Sequence, residues 1–352
     1  PGYTLNLSFS TDRRPLGLLG ASGAGKSMIL RCIAGTETPD AGRIVLNGRV
    51  LFDSERGINL PSRDRRVGIL FQNYGLFPHL TVAQNIAFGL AGLPHHQQQQ
   101  IVSAQLAAVQ LQGLGDRYPT QLSGGQQQRG AIARLLASQP EVLLLDEPFS
   151  ALDSHLRFTL ERDLRQWLSH YCGIPLLVTH NIEEAYRVCH KLLIIDHGQI
   201  SAFDEKQAVL AQPQTVSAAR LTGCKNLSRA VAAGPNRVHA VDWNCTVQVA
   251  GSIPDAATHI GMRAHQFDFI ELHPAPQPMP NTFPAWLVTI SETPHRMTLY
   301  LKLNQPPTHG QDYQLQAEVF KQKWAMLQTL PFPWTVMLKP ERLMLLSAGE
   351  NQ

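Results

Sequence analysis

The sequence predicts an α/β domain built on a parallel sheet, followed by a smaller all-β domain. Two observations carry this prediction. Up to about residue 210, short apolar segments alternate with stretches long enough for helices, which is typical of a parallel sheet covered by helices. After about residue 223 the apolar segments are short and closely spaced, and 13 of the 24 prolines fall between Pro235 and Pro340. This second part is therefore expected to be a small antiparallel barrel.

In the first domain we expect five buried strands. They are the apolar segments at 16–19, 68–71, 142–145, 176–179 and 192–196. Residues 73–139, between the second and third of these strands, are polar and rich in Ala and Gln without strand signals, which predicts a helical subdomain. The glutamine run within that stretch is interpreted as the exposed start of a helix.

In the second domain we expect several short strands, with turn signals between them. They are the segments at 238–243, 246–250, 285–290, 298–303, 334–338 and 343–346. The predicted domains are residues 1–210 and 224–352, joined by a linker at 211–223. The chain begins with Pro1 rather than Met, in the middle of an apolar alternation, so we expect the natural N-terminus to lie upstream.

Composition narrows the class of protein. The 352 residues are 43% hydrophobic and 16% charged, which excludes a disordered chain and leaves room for two domains. The net charge of +3 is too small and too dispersed for a nucleic-acid footprint. No window approaches the roughly 18 apolar residues of a membrane span. The five cysteines are widely spaced and never form a CxxC pair, so we expect neither disulfides nor zinc, and a reducing cytoplasm.

Residues 20–27 (GASGAGKS) form a complete phosphate-binding loop between an apolar strand and a helix-like segment that Gly35 ends. The glycines let backbone N–H groups turn toward an anion, Lys26 can reach the β- and γ-phosphates, and Ser27 offers its hydroxyl to Mg²⁺. The residues predicted to bind nucleotide here are Gly20, Ala21, Ser22, Gly23, Ala24, Gly25, Lys26 and Ser27.

Residues 142–147 (VLLLDE) predict a buried strand that ends in two acidic residues. Asp146 is expected to lie beside the Mg²⁺ held by the loop. Glu147 follows directly and is placed to orient or deprotonate a water molecule. A buried strand that merely ends in an acidic turn is the alternative, and the phosphate-binding loop makes that alternative improbable.

Residues 122–126 read LSGGQ, and Gln126 stands 20 residues before Asp146. Together with the loop and the two acids, this run resembles the signature of the ATP-binding subunits of ABC transporters, which separates them from other P-loop proteins. The resemblance covers residues 5–210 and implies ATP as the nucleotide. It also implies that the signature of a second copy caps the γ-phosphate, through Ser123, Gly124, Gly125 and Gln126.

Three further segments are similar to the family in the expected order. Gln72 resembles the Q-loop residue, Asp153 belongs to a run resembling the D-loop, and His180 follows a strand as the switch histidine does. The resemblance implies catalytic roles for Glu147, His180 and Gln72, Mg²⁺ contacts for Ser27, Gln72 and Asp146, and a nucleotide contact for Asp153. The aromatic residue that stacks on adenine in many relatives is expected upstream of Pro1 or is absent.

Residues 40–54, 57–61 and 65–68 resemble the ATPases of bacterial importers, most closely those for molybdate. The resemblance implies an importer motor for an oxyanion, molybdate first and sulfate second, at the cytoplasmic face of the bacterial inner membrane. The implied partners are a second copy of the chain, membrane permease subunits and, indirectly, an extracytoplasmic oxyanion-binding protein, without nucleic acid. In this family the segment at 76–82 borders the groove that receives the permease. A buried turn is the alternative interpretation, and the two are compatible.

The C-terminal part resembles, more weakly, the oligonucleotide/oligosaccharide-type (OB-like) barrel of sulfate and molybdate importer ATPases, at residues 221–226 and 259–265. A candidate oxyanion site is formed by Asp242, Trp243, Arg263 and His265. The alternative is that these are structural residues of the barrel whose polar groups already have hydrogen-bond partners. A non-transport ABC ATPase with an anion-sensing C-terminal domain is the competing function. A soluble ABC ATPase that acts on DNA or ribosomes is a further class; such proteins usually have coiled-coil heptads, zinc cysteines or tandem cassettes, which this sequence lacks.

Overall fold

The chain divides into two compact units, the first ending at Lys206 and the second beginning at Gln207. The structure is a computed structural model that describes residues 4–71, 74–150, 152, 154–270 and 280–349. Gln72 and Asp153, both predicted site residues, lie outside the described residues.

The first unit is built on a six-stranded sheet and a small antiparallel three-stranded sheet. Its strands are β1 (Leu16–Gly20), β2 (Arg43–Leu46), β3 (Arg49–Asp53), β4 (Ile58–Asn59), β5 (Val67–Leu70), β6 (Val142–Asp146), β7 (Ile174–Val178), β8 (Lys191–Asp196) and β9 (Gln199–Glu205). The larger sheet has the order β5-β6-β7-β1-β8-β9, and only β9 pairs antiparallel. The five strands predicted from apolar segments correspond to β1, β5, β6, β7 and β8.

The helices of the first unit are α1 (Lys26–Ala34), α2 (Val82–Ala87), α3 (His95–Ala108), α4 (Gly124–Ala137), α5 (Ser154–His170) and α6 (Ile182–Val188). Three of them, α2, α3 and α4, pack together around their own apolar cluster. The helix α1 ends where the sequence predicts, because Gly35 takes a left-handed φ of 77° and donates its N–H to the last turn. Within the described residues, no helix has the length and apolar character to cross a membrane.

The helix α1 is fixed at its C-terminus by a buried arginine. The Arg65 side chain is fully buried and donates to the carbonyl oxygens of Cys32 at 2.7 Å and Leu60 at 2.8 Å. It also donates to Oδ1 of Asn59 at 2.7 Å. Burial lowers the pKa of Arg65. The guanidinium therefore connects the strand β4 and the segment after it to the last turn of α1. The helix dipole also stabilises a cation at this end of the helix.

We expect Arg65→Met to lower the free energy of unfolding of the first unit by about 3 kcal/mol, because it leaves buried acceptors unpaired. Calorimetric unfolding measures this change. The matched control is Arg63→Met, two residues away, where the side chain is 86% exposed and a change within about 0.5 kcal/mol is expected. Equal effects of the two substitutions would contradict the capping role of Arg65.

The second unit contains two five-stranded antiparallel sheets that share one apolar core. Its strands are β10 (Asn226–Gly234), β11 (Arg237–Ala240), β12 (Cys245–Gln248), β13 (His259–Met262), β14 (Asp268–Phe269), β15 (Thr282–Glu292), β16 (Arg296–Leu303), β17 (Leu315–Phe320), β18 (Trp334–Met337) and β19 (Met344–Leu346). The sheet orders are β12-β11-β10-β13-β19 and β14-β18-β15-β16-β17. Trp243 and Trp334 are among the largest buried side chains of the shared core. The C-terminal part is thus all-β apart from short helices, as predicted.

The predicted linker at 211–223 is not an extended connection. The second unit begins near α7 (Lys206–Ala211) and includes α8 (Val216–Leu221) and later α9 (Lys321–Leu327). The Thr215 hydroxyl caps α8 by accepting the N–H of Ala218 at 3.1 Å, and Val216 and Ala219 are buried in an apolar cluster with Leu346. Side-chain capping and burial therefore give this segment a helical structure, which its proline-based interpretation missed.

Candidate functional site

Three segments singled out by sequence lie at one edge of the six-stranded sheet. The strand β7 lies between β6 and β1, and the three run parallel, so their carboxyl ends share that edge. In the strand register, Asp146 of β6 and Leu18 of β1 both stand opposite Val178 of β7. The loop after β1, the acids at the end of β6 and His180 after β7 are therefore brought together, where ligands of parallel sheets commonly bind.

The loop after β1 has the backbone of an anion-binding nest. Gly23 and Gly25 have φ angles of 81° and 90°, in the left-handed region that favours glycine. No described atom lies within 4 Å of a Cβ placed on Gly23, whereas a Cβ on Gly20 would lie 2.5 Å from the carbonyl oxygen of Ile195. Glycine at position 20 thus allows close packing on β8, and glycine at position 23 keeps the loop backbone accessible.

The side chain of Lys26 is folded into this loop. Its Nζ donates to the carbonyl oxygens of Gly20 at 2.9 Å and Ala21 at 2.8 Å. Burial lowers the pKa of Lys26, and the nearby charges of Glu147 and Asp146 oppose that change. Carbonyl oxygens do not neutralise an ammonium group, so phosphate oxygens would form stronger, charge-assisted hydrogen bonds with Lys26.

Ser27 and Asp146 provide a pair of side-chain oxygen atoms, suited to ligate a metal ion, beside Lys26. The Ser27 hydroxyl donates to Oδ1 of Asp146 at 3.0 Å. Burial raises the pKa of Asp146, and the hydrogen bond from Ser27 opposes this effect. Mg²⁺ favours such hard oxygen ligands together with phosphate oxygens and water, so the two residues fit the ion.

Glu147 and His180 are in direct contact at the same edge. Nδ1 of His180 lies 3.1 Å from Oε1 of Glu147. Glu147 has a φ of 45°, uncommon for a residue with a side chain, and its N–H donates to the carbonyl of Val178 at 2.9 Å. Such backbone strain is concentrated at functional sites. The arrangement gives the carboxylate a fixed direction beside Asp146, as a residue that positions water requires.

The predicted signature residues begin the helix α4. Ser123 is the N-cap: its hydroxyl accepts the N–H of Gln126 at 3.4 Å, and the Gln126 side chain accepts the N–H of Ser123 at 3.0 Å. No described atom lies within 4 Å of a Cβ placed on Gly124. The Gln126 side chain is thus used within its own helix, and the helix N-terminus presents unobstructed backbone at Gly124.

The signature lies apart from the loop that holds Lys26. The helix α4 packs against α2, α3 and β5. The strand β5 is separated from β1 by β6 and β7, which is three strand spacings, or about 14 Å at the usual spacing in a sheet. The structure therefore brings Lys26, Ser27, Asp146, Glu147 and His180 together within one chain, and no described hydrogen bond or ion pair links the signature residues to them.

A hydrogen-bonded network flanking His180 was not predicted from the sequence. Thr179 donates its hydroxyl to Oε2 of Glu184 at 2.6 Å and accepts the N–H of Asn181 at 3.0 Å. Arg157, on α5, lies 3.6 Å from Oε1 of Glu184. The local signal was present, because Asn181 caps α6 and Glu184 follows three residues later, a spacing typical of a helix start.

The candidate oxyanion site in the second unit is not supported by the geometry. The Arg263 guanidinium donates to the carbonyl oxygens of Thr222 at 2.5 Å and Leu210. Asp242 accepts the N–H of Arg229 at 2.8 Å. Burial, followed by the charge of Arg263, lowers the pKa of His265, which disfavours the cationic form that an anion would need. Arg263 and Asp242 are thus engaged in structural hydrogen bonds, whereas the buried Nε1 of Trp243 has no hydrogen-bond partner among the described residues.

Comparison with known proteins identifies a matching family and several similar proteins. The family profile of the ABC transporter matches residues 4–150. The sulfate/thiosulfate import ATP-binding protein CysA of Synechococcus elongatus is 42% identical over 275 residues, which cover 76% of this chain and 72% of that protein. The CysA protein of Caulobacter vibrioides is 41% identical over 263 residues, 73% of this chain and 74% of that protein. The match with CysA of Synechocystis sp. spans 56% of that protein, at 44% identity over 57% of this chain.

The site geometry and these matches agree. The loop with Lys26, the paired oxygens of Ser27 and Asp146, and the Glu147–His180 contact are the parts that binding and hydrolysis of a nucleoside triphosphate with Mg²⁺ require. The relatives in Synechococcus and Caulobacter are matched over more than two thirds of their own length, at 42% and 41% identity. The chain belongs to the ABC transporter family, and it is an ATPase.

Proposed function

We propose that this chain is the ATP-hydrolysing subunit of an importer for a tetrahedral oxyanion, with sulfate or thiosulfate as the first candidates. The observation that carries the motor assignment is the Glu147–His180 contact of 3.1 Å beside the Lys26 loop. The cargo assignment has separate support, since the relatives described above are named sulfate/thiosulfate import proteins. Those names favour sulfate over molybdate, which the sequence resemblance placed first.

ATP binding uses the loop and its cation. Backbone N–H groups at the start of α1 and the ammonium of Lys26 would bind the phosphates, with Lys26 exchanging the carbonyls of Gly20 and Ala21 for phosphate oxygens. Ser27 and Asp146 would hold Mg²⁺, with Gln72 as a further proposed ligand. When bound, Mg²⁺ supplies charge neutralisation and orientation of the phosphates.

Hydrolysis uses the acid at the end of β6. Glu147 would orient the attacking water and accept its proton, and His180 would fix the Glu147 carboxylate through Nδ1 and hydrogen-bond near the γ-phosphate. Because the backbone of Glu147 is held by Val178, the carboxylate is directed before the nucleotide binds. Pre-positioning of this kind reduces the reorganisation needed during reaction.

A second copy of the chain would complete the site. No described hydrogen bond or ion pair joins the signature residues to Lys26 of the same chain, and Gly124 leaves the helix N-terminus unobstructed. In a head-to-tail pair, Ser123, Gly124, Gly125 and Gln126 of one copy would approach the γ-phosphate held by the other. We place Asp153 at the same interface. Two ATP molecules would then lie between two copies.

The proposed membrane partners are permease subunits, contacted from the cytoplasmic face of the bacterial inner membrane. The proposed contact segment is 76–82, where the ring of Phe77 lies 4.5 Å from that of Phe88 and the Arg134 guanidinium lies 5.0 Å above Phe77. Phe88 is 59% exposed, so an apolar ring beside this segment is accessible to a partner. An extracytoplasmic binding protein would deliver the anion, and no nucleic-acid partner is proposed.

For the second unit we propose an OB-like barrel with a structural or dimerising role. Its two antiparallel sheets enclose one apolar core, as a small barrel does. The engagement of Arg263 with backbone carbonyls speaks against oxyanion binding at that residue. Titration of the full chain with molybdate and sulfate, in the presence of saturating ATP, tests this assignment: saturable binding abolished by Arg263→Gln would contradict it.

The cargo is tested by uptake of labelled sulfate, thiosulfate and molybdate in cells that lack this chain. We expect sulfate and thiosulfate uptake to be lost and to return with the unmodified chain but not with Lys26→Ala, which removes the phosphate-binding cation. Loss of molybdate uptake alone would reverse the order of the oxyanions. Normal uptake of all three anions would contradict the oxyanion assignment and leave the ATPase chemistry in place.

A further inference from the structure

The helices α5 and α6 are joined by an ion pair, buried on the side of its carboxylate, close to the catalytic edge. Arg157 lies 3.6 Å from Oε1 of Glu184, and its NH2 group donates to the carbonyl oxygen of Leu152 at 3.1 Å. Leu152 follows β6 by a short turn and is the described residue in the middle of the D-loop segment. One guanidinium therefore contacts both the turn after Glu147 and the helix that follows His180.

The partner of Arg157 is connected to His180 on both sides. Glu184 is 5% exposed and accepts the hydroxyl of Thr179, the residue before His180, at 2.6 Å. Asn181, the residue after His180, donates its N–H to that hydroxyl at 3.0 Å and its side-chain amide to Oε1 of Glu184 at 3.4 Å. The position of the His180 backbone thus depends on where Glu184 lies.

We propose that Arg157 is a positioning residue, which holds Glu184 and the turn at Leu152 in a fixed relation so that His180 stays in contact with Glu147. The proposal rests on the roles proposed for Glu147 and His180. It adds Arg157 and Glu184 to the residues on which turnover depends, although neither contacts the described catalytic side chains directly.

Charge and burial support this role. Burial raises the pKa of Glu184, while the hydrogen bond from Thr179 and the charge of Arg157 oppose that change. Removal of Arg157 would leave a buried carboxylate without its cation, which favours protonation or displacement of Glu184.

The same pair of helices provides a matched control. Glu161 lies one helical turn after Arg157 on α5, and it accepts hydrogen bonds from Arg187 of α6. Glu161 is 3% exposed, so this ion pair is also buried on the Glu161 side. Arg187 further pairs with Glu183 at 3.2 Å, on the surface. Loss of Arg187 therefore removes an ion pair between the same helices without touching Thr179, Asn181 or Leu152.

The test compares Arg157→Gln with Arg187→Gln by steady-state ATP hydrolysis and thermal unfolding of the full chain. We expect Arg157→Gln to lower kcat about 10- to 100-fold with KM for ATP changed less than about threefold, because it misplaces a catalytic group without removing one. Arg187→Gln is expected to lower the unfolding temperature without lowering kcat. Arg157→Lys, which keeps the charge beside Glu184, is expected to recover part of the lost turnover.

The same comparison in chains that carry His180→Ala separates a positioning role of Arg157 from a general structural effect. In chains carrying His180→Ala, Arg157→Gln should lower kcat little further, because its effect passes through His180. Full additivity of the two substitutions, or an equal loss of kcat in Arg187→Gln, would overturn the proposal. Should Arg157→Gln lose its folded transition, Arg157→Lys is compared in both backgrounds by the same criteria. If His180→Ala alone leaves turnover unchanged, the proposed function of His180 fails instead.

Discussion

Glu147→Gln is expected to abolish steady-state ATP turnover while ATP still binds. The amide keeps the size of the carboxylate and can still hydrogen-bond to water, but it cannot accept the proton of the attacking water. Loss of a general base commonly lowers the rate by about 10²- to 10⁴-fold. Phosphate release under saturating ATP and Mg²⁺ measures turnover, and equilibrium binding of a fluorescent ATP analogue measures affinity.

The matched control for this substitution is Glu141→Gln. Glu141 directly precedes β6, so it lies at the opposite edge of the sheet from Glu147, and it pairs with Arg49 and Arg66. Its removal should leave turnover within a few-fold of that of the unmodified chain. A Glu147→Gln chain that turns over equally fast would show that Glu147 is not the general base.

The second large effect is recovery of activity on mixing two inactive variants. Lys26→Ala damages the phosphate loop, and Ser123→Arg places a bulky cation at the N-terminus of α4. If the signature acts on the nucleotide of the other copy, a mixed dimer contains one site with both defects and one intact site. Random pairing at equal amounts would give an intact site in about half of the dimers. Phosphate release by the mixture is expected to exceed that of either parent clearly.

The control for the mixing experiment combines two variants that are both damaged in the phosphate-binding half of the composite site. Lys26→Ala mixed with Asp146→Asn should show no recovery, because Lys26 and Asp146 belong to one chain's half of each site. Formation of mixed dimers is verified in both mixtures by differential tagging. Equal activity of the two mixtures, with mixed dimers present, would contradict assembly of the site from two copies.

The parts of the site that could be predicted from the sequence are those that are encoded in contiguous runs of residues. The phosphate loop needs glycines at fixed offsets, and the buried run before Asp146 is a strand in isolation as well as in the fold. From these local patterns Asp146 is expected beside the Mg²⁺ held by the loop, whereas the place of His180 came only from the family resemblance. The contact between Glu147 and His180 followed from strand order, which the sequence alone did not determine.

The residues that could not be identified from the sequence contact partners that are distant along the chain. Arg65 has four acceptors on segments that precede it by up to 33 residues, and in the sequence it resembles an ordinary charge beside Arg66. Arg157 reaches Glu184 and Leu152 in the same manner. Arg263 was considered an anion ligand because its charge is visible in sequence, whereas its carbonyl partners are not. The small strands β2, β3 and β4 lack long apolar runs and were missed for that reason.

The central claim is that ATP is bound between two copies of this chain, and light scattering on the Glu147→Gln variant tests it most directly. With hydrolysis blocked, ATP and Mg²⁺ should drive self-association to a dimer that retains one ATP for each chain, and Ser123→Arg added to the same variant should prevent that association. The contradicting result is an ATP-saturated Glu147→Gln chain whose state of association is the same with and without ATP, and the same with Ser123→Arg.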